Sequence, residues 1–176
     1  MKRILLPILV IGVLLLSACS APATAPPTEP QFMHYVNKEF GFSIDYPKGW
    51  LLEKLNPNEV GIKPKDSEYN QIQIAAYAGE PMIGSMPESW VVASTEASLR
   101  QFFDVLGGTN LNVFINEPAT GKWDWVAGFT VVYEDTPLQG SLSIKETKST
   151  CYTLILIQCM DWPEGQEVIS SFRLTE

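Results

Sequence analysis

From residue 123 the chain alternates. Trp123, Trp125, Ala127, Phe129, Val131 and Tyr133 occupy every second position, with Asp124, Gly128, Thr130 and Glu134 among the residues between them. Sustained period two predicts a β-strand with one buried face, and it sets Trp123 and Trp125 together on that face. Asp135-Thr136-Pro137 predicts a turn, after which Leu138, Gly140, Leu142 and Ile144 alternate again. Lys148-Ser149-Thr150 then returns the chain into Cys-Tyr-Thr-Leu-Ile-Leu-Ile-Gln-Cys, residues 151–159. That run is apolar at nearly every position, the signature of a central strand covered on both faces. Leu111, Val113 and Ile115 give a strand ahead of the connection Pro118 to Lys122. The four strands read as an antiparallel meander.

The first half is more broken. Gly41 to Tyr46 and Trp50 to Leu55 predict short strands around Pro47-Lys48-Gly49, and Val60 to Lys63 and Gln71 to Ala78 predict two more. Between the halves the period changes. Leu99, Phe102, Phe103 and Leu106 fall at i, i+3, i+4 and i+7, a helical face. Ser85-Met86-Pro87-Glu88 has capping-box spacing at its start, and Gly107-Gly108 stops it. A second, shorter helix is predicted from Glu164 to about Ser170. A strand apolar on both sides needs cover on both sides, and these helices are placed to supply it. The fold class expected is α+β, an antiparallel β-sheet sandwiched by helices.

Ahead of all this lies a leader. Met1-Lys2-Arg3 is followed by an apolar stretch from Ile4 to Leu16 and by small residues, in the order of a signal peptide. The apolar stretch contains Pro7 and Gly12 and is shorter than the roughly 20 residues needed to span a bilayer, which argues against an uncleaved anchor. Leu16-Ser17-Ala18-Cys19 resembles the bacterial lipobox, in which the cysteine thiol is lipidated and cleavage falls just before it. Residues 1–18 are thus expected to be removed, leaving a lipidated Cys19. Two or more palmitate-type acyl chains on one cysteine meet the condition for stable anchoring. The expected location is the outer face of the cytoplasmic membrane, with the membrane as a partner through the lipid.

Residues 19–32 continue as a Pro/Ala/Thr-rich linker, extended and without apolar periodicity, and 33–176 suit a single domain with one sizeable core. The formal charge of −8 includes Lys2 and Arg3, so the mature chain is more acidic still. Acidity without a basic patch argues against nucleic acid as a partner. Cys151 and Cys159 would be an even pair in an exported protein. A straight strand separates them by roughly 26 Å, too far to bridge, so two buried free thiols are expected.

Tyr35-Val-Asn-Lys-Glu-Phe-Gly-Phe-Ser-Ile-Asp-Tyr-Pro-Lys-Gly-Trp50 resembles the opening of the PsbP-like family, where an aromatic strand "fgFsi" leads into "yPkgW". Ile169-Ser-Ser-Phe-Arg-Leu174 is similar to the family's closing "i..SF.l" element, and Cys151-Tyr152-Thr-Leu to its last long strand. The family takes its name from an extrinsic subunit of the photosystem II oxygen-evolving complex. The resemblance implies an antiparallel sheet between helices, in agreement with the residue pattern. It also implies a range of roles, including photosystem subunits, assembly factors, a nuclear-transport regulator of similar fold and bacterial lipoproteins. Phe40, Phe42, Tyr46 and Trp50, which carry the motif, read as core aromatics.

Candidate chemistry is sparse. The sequence has no Gly-x-Ser-x-Gly, no Ser-x-x-Lys and a single histidine, His34, beside the linker. No catalytic residue, metal site or cofactor is predicted. Glu117 and Asp124 flank the 118–122 connection and are the pair a carboxylate-based hydrolase or a weak cation site would use, although a polar strand end explains them as well. Connections on a rigid scaffold are better candidates for binding. Segments 56–70 and 79–88 are the longest, and Met82, Ile83 and Met86 are apolar residues in the second, suited to docking a protein partner or to folding over the sheet. The expected function is a non-enzymatic, lipid-anchored extracytoplasmic binding or assembly module for a membrane-associated protein complex. A small-ligand or cation-binding lipoprotein is the alternative.

Overall fold

Tyr152, Leu154 and Leu156 point to one side of their strand, while Ile157 and the half-buried Cys151 and Ile155 point to the other. Each set belongs to a separate hydrophobic cluster, so this strand has no solvent face, as its unbroken apolar run requires. In chain order the elements are β1 (Phe32–Asn37), β2 (Phe42–Pro47), β3 (Leu51–Asn56), β4 (Glu59–Lys63), β5 (Gln71–Ala78), α1 (Glu88–Leu106), β6 (Thr109–Pro118), β7 (Trp125–Tyr133), β8 (Thr136–Glu146), β9 (Thr150–Gln158), α2 (Pro163–Ser171) and β10 (Arg173–Leu174). These come from a computed structural model that describes residues 31–159 and 161–175. The leader, Cys19 and the linker through residue 30 lie outside the described residues.

Seven strands form one antiparallel sheet in the order β3-β4-β5-β9-β8-β7-β6, with β6 to β9 as the expected meander. A second sheet of three strands, β1-β2-β10, lies with α2 over the β4, β5 and β9 side of the large sheet. Helix α1 covers β7, β8 and β9 from the opposite side. The antiparallel sheet is thus sandwiched, one layer being α1 and the other α2 with the small sheet. The sequence pattern did not separate β2 from β3 into different sheets, and it left β1 unassigned. Phe32, read as the last residue of the linker, is the first residue of β1.

The motif aromatics build the α2 side. Phe42 is fully buried and stacks on Phe172 with ring centroids 5.7 Å apart, and Trp50 stacks on Trp162 at 4.9 Å. Phe40 and Tyr46 pack against the same cluster. The Tyr152 hydroxyl donates to the Phe40 carbonyl at 2.7 Å, tying the central strand to the small sheet.

Four local expectations are corrected. Trp123 and Trp125 do not share a face, because β7 begins only at Trp125; Trp125 enters the α1 cluster and Trp123 packs on Phe172 in the other. Ser85 does not cap α1. Its hydroxyl donates to the carbonyls of Pro81 and Met82, and Pro87 holds the N-cap position. The buried stripe of α1 is Val91, Thr95, Leu99 and Phe103, with Leu106 exposed. The β7–β8 turn is Glu134-Asp135, both at positive φ as a tight hairpin requires, so Thr136 and Pro137 already belong to β8.

Candidate functional site

The connection from β5 into α1 is held at its middle by one carboxylate. The backbone N–H groups of Met82 and Ile83 donate to the two oxygens of Glu146 at 2.9 and 2.8 Å. Glu146 is fixed in turn: its own N–H donates to Asp124 Oδ2 at 2.7 Å, and Lys145 Nζ donates to Asp124 Oδ1 at 2.9 Å. Charge-assisted bonds of this kind are stronger than neutral ones. With the backbone so pinned, the side chains of Met82 and Ile83 pack against the α1-side cluster. Met86 does not. It is 47% exposed, and Trp90, one helical turn further on, is 65% exposed. Beside Trp90 the small residues Ala93, Ser94 and Ala97 leave a shallow depression of about 480 Å³ on the flank of α1. Met86 and Trp90 therefore form an apolar projection on a braced support.

The other sequence-predicted residues are occupied elsewhere. Both oxygens of Asp124 accept the bonds just described, and Glu117 sits exposed on the edge strand β6, opposite Val126 in the ladder. His34 Nδ1 lies 2.6 Å from Asp45 Oδ1 across the β1–β2 pair, and Arg173 reaches the other Asp45 oxygen at 3.4 Å. The Ser171 hydroxyl beside this group takes the Asp45 N–H and faces the backbone carbonyls of Asp45 and Val168, so it stitches α2 to β2. Among the described residues, no three His, Cys, Asp or Glu side chains gather into a metal-binding group. Strand β4 takes up residues 59–63 of the 56–70 segment. What remains of the connection is anchored by Asn70, whose side-chain oxygen accepts from the Cys159 N–H at 3.1 Å.

Cys151 and Cys159 are both free, and both are half-buried where full burial was expected. Desolvation pushes the Cys151 thiol up to about 11, with Glu146 and then Asp124 adding to the effect. Lys122 was not singled out by its sequence. Its ammonium donates to the carbonyls of Ile169 and Ser170 at the C-terminal end of α2 and lies over the Trp123 ring at 5.1 Å. Burial, then the charge of Arg173, lowers its pKa. A cation there opposes the negative end of the helix dipole. Trp90 and Glu146 were missed as well. Trp90 had a signal, being a large aromatic outside the Leu99/Phe103 stripe; Glu146 had none, since the N–H groups its carboxylate accepts from are more than sixty positions away.

No protein-family model matches the sequence, and no curated protein sequence matches it. Solved structures do. Cyanobacterial PsbP (CyanoP) from Synechocystis sp. PCC 6803 superposes with a TM-score of 0.66 at 12% identity, over 88% of this chain and 98% of that one. The Saccharomyces cerevisiae Ran-binding protein Mog1p gives 0.52 at 6% identity, over 84% of this chain and 97% of that one. A Bacteroides thetaiotaomicron VPI-5482 protein gives 0.52 at 16% identity, over 85% of this chain and 50% of that one. The chain has the PsbP-like fold. At these identities the likeness is one of fold, and function is argued from the site.

Proposed function

We propose that this PsbP-like domain is a non-enzymatic binding or assembly module, carried on a lipid anchor at Cys19 outside the cytoplasmic membrane. On this reading residues 19–32 form the tether and 33–176 the working domain. The observation that carries it is the exposed pair Met86 and Trp90 on a segment braced by Glu146. Tryptophan is among the residues that most often dominate protein–protein interfaces, and a support that does not move limits the entropy lost on docking. Of the apolar residues in the 79–88 segment, Met86 makes the contact, while Met82 and Ile83 hold the backbone that presents it. Both oxygens of Asp124 are engaged in structural bonds, which supports binding over a hydrolase built on Glu117 and Asp124. The fold also serves in a protein named for binding Ran, so it is a scaffold that accommodates a protein-binding surface. Among the described residues, no helix is long and apolar enough to cross a membrane, and membrane attachment is assigned to the lipid.

A photo-cross-linking residue at Ala97, on the Trp90 flank, tests the reading in native membranes. One recurrent protein should be captured, and Trp90→Ser or Met86→Ser should reduce capture by about tenfold, the scale of a modest interface hot spot. Capture unchanged in both variants would remove the surface from consideration. A measurable turnover abolished by Glu117→Gln or Asp124→Asn would replace binding with catalysis.

A further inference from the structure

Helix α1 leaves part of the sheet beneath it uncovered, and a groove of about 470 Å³ runs between them. Its floor is Tyr77 of β5, Leu142 of β8, and Thr153 and Ile155 of β9. Its wall is the C-terminal half of α1, through Leu99, Phe102, Val105 and Leu106. Val105 is 81% exposed and Leu106 44% exposed, so the rim presents two adjacent aliphatic side chains to solvent. The volume lies within the roughly 300–1,000 Å³ of small-molecule sites, and the lining matches them in being mostly apolar with a few polar groups.

Two properties of the lining select the occupant. The first is charge: among the described residues, none that lines the groove is Asp, Glu, Lys, Arg or His. Tyr77 is the one phenol, and burial, then Glu59, raises its pKa, so it stays neutral. The chain as a whole carries a formal charge of −8, which disfavours anions in general. The complementary ligand is therefore uncharged.

The second is hydrogen-bonding capacity. At the groove floor β8 and β9 are paired on both edges, and β5 is paired with β9 through Tyr77 and Ala78 and with β4 as far as Ala75. The wall is the C-terminal half of α1, whose backbone bonds to itself up to the last turn, where the carbonyls of Phe103 and Asp104 accept from the Gly108 and Gly107 N–H groups. The groove thus offers no free backbone ladder to an extended peptide, whose N–H and C=O groups would be buried without partners at a cost. The Ser98 hydroxyl is already bonded to the Ser94 carbonyl at 2.8 Å, which leaves Tyr77, Gln101 and Thr153 as the polar side chains of the lining. A molecule with little demand for hydrogen bonds meets no such cost.

We propose that this groove is a binding site for an uncharged aliphatic chain, such as that of a medium-chain alcohol or ester. The site is on a different flank of α1 from Trp90 and stands independently of the docking surface there.

The test uses the full chain in washed membrane vesicles with a diazirine-bearing decanol as the probe. After irradiation, label should concentrate on peptides covering residues 98–106 and 151–157. Unlabelled decanol should compete it away, and decanoate should not. Ser98→Trp, at an exposed helix position, fills the groove and should lower labelling about tenfold, the equivalent of roughly two buried methylenes. Circular dichroism establishes whether that variant folds. If it does not, Val105→Asp, at the most exposed wall position, should give the same loss by placing a charge at the rim. Diffuse label, equal competition by decanoate, or labelling unchanged in a folded variant would overturn the proposal. So would a cross-linked dimer or a protein adduct at those peptides, either of which would assign the groove to a macromolecular partner.

Discussion

Cys151 sits opposite Glu146 in the β8–β9 ladder and feels Asp124 as well. Desolvation comes first and the two carboxylates second in holding its proton, and the result is a thiol shifted from 9.0 to about 11. The thiolate is the nucleophile, so Cys151 should be alkylated slowly at pH 8 and faster by about tenfold per pH unit toward 11. Mass spectrometry of pulse-labelled folded protein measures this directly. Labelling at pH 8 as fast as a model thiol would show that the cysteine is not in the surroundings described. The same shift has a consequence for stability. The folded state holds this proton more tightly than the unfolded state, so the contribution is present below pH 9 and is lost as pH rises through about 11. Stability of the wild type measured against Cys151→Ala should fall over that window. The sequence put both thiols on one strand and excluded a bridge between them by distance; in the structure both are free, and β9 ends at Gln158 with Cys159 just beyond it. It could not supply the partial exposure or the carboxylate neighbours, which arrive on β8 and on the connection before β7.

At the scale of elements, the meander depends on a close approach that one residue permits. Gly140 of β8 lies where a Cβ would run into the Leu156 carbonyl oxygen and the Phe129 ring. In the sequence it stands among the alternating apolar residues of β8, and only the packing shows why no side chain fits there. Gly140→Ala should therefore destabilise the domain by about 3 kcal/mol, a fall in Tm of roughly 10 °C for a chain of this size. Gly79→Ala, where a Cβ meets nothing within 4 Å and φ is not positive, is the control and should change Tm little. A Tm for Gly140→Ala within two or three degrees of wild type, on the order of 1 kcal/mol, would mean that β8 can shift away from β9. Helix α1 follows the same division. Its existence, its Leu99/Phe103 contacts and its stop at Gly107, which is in the left-handed conformation with φ of 80°, were legible. Its N-terminus was not, because Ser85 found nearer carbonyl partners in the preceding turn.

For the whole molecule, the two covering layers are staggered. The α2 layer lies over β4, β5 and β9, and α1 lies over β7, β8 and β9. β9 lies under both layers, and the apolar run from Leu154 to Ile157 supplies side chains to each. The proposed lipid anchor belongs to this scale too, since it would fix where the domain works. Cys19→Ala should abolish acylation and leave the protein as uncleaved precursor or release it from membranes. Radiolabelled fatty acid incorporated as strongly by the variant as by wild type would exclude Cys19 as the acceptor.

By itself the sequence determined what depends on local periodicity and local chemistry. Period two identified the strands of the meander, the double-sided run identified β9, the i, i+3, i+4 spacing identified α1, and paired glycines ended it. The aromatic motifs at both ends pointed to the fold that CyanoP shares. Tertiary structure decided which strands left the main sheet, since the sheet to which β2 or β3 belongs is set by its ladder partners, β1 and β10 for β2 and β4 for β3. It sent Trp123 and Trp125 to opposite cores, because alternation is meaningful only inside a strand. It also made the Glu146 brace, the Trp90 projection and the groove under α1. Each of these joins residues far apart in the chain or depends on where cover ends, and burial of that kind is a property of assembled layers that no single segment encodes.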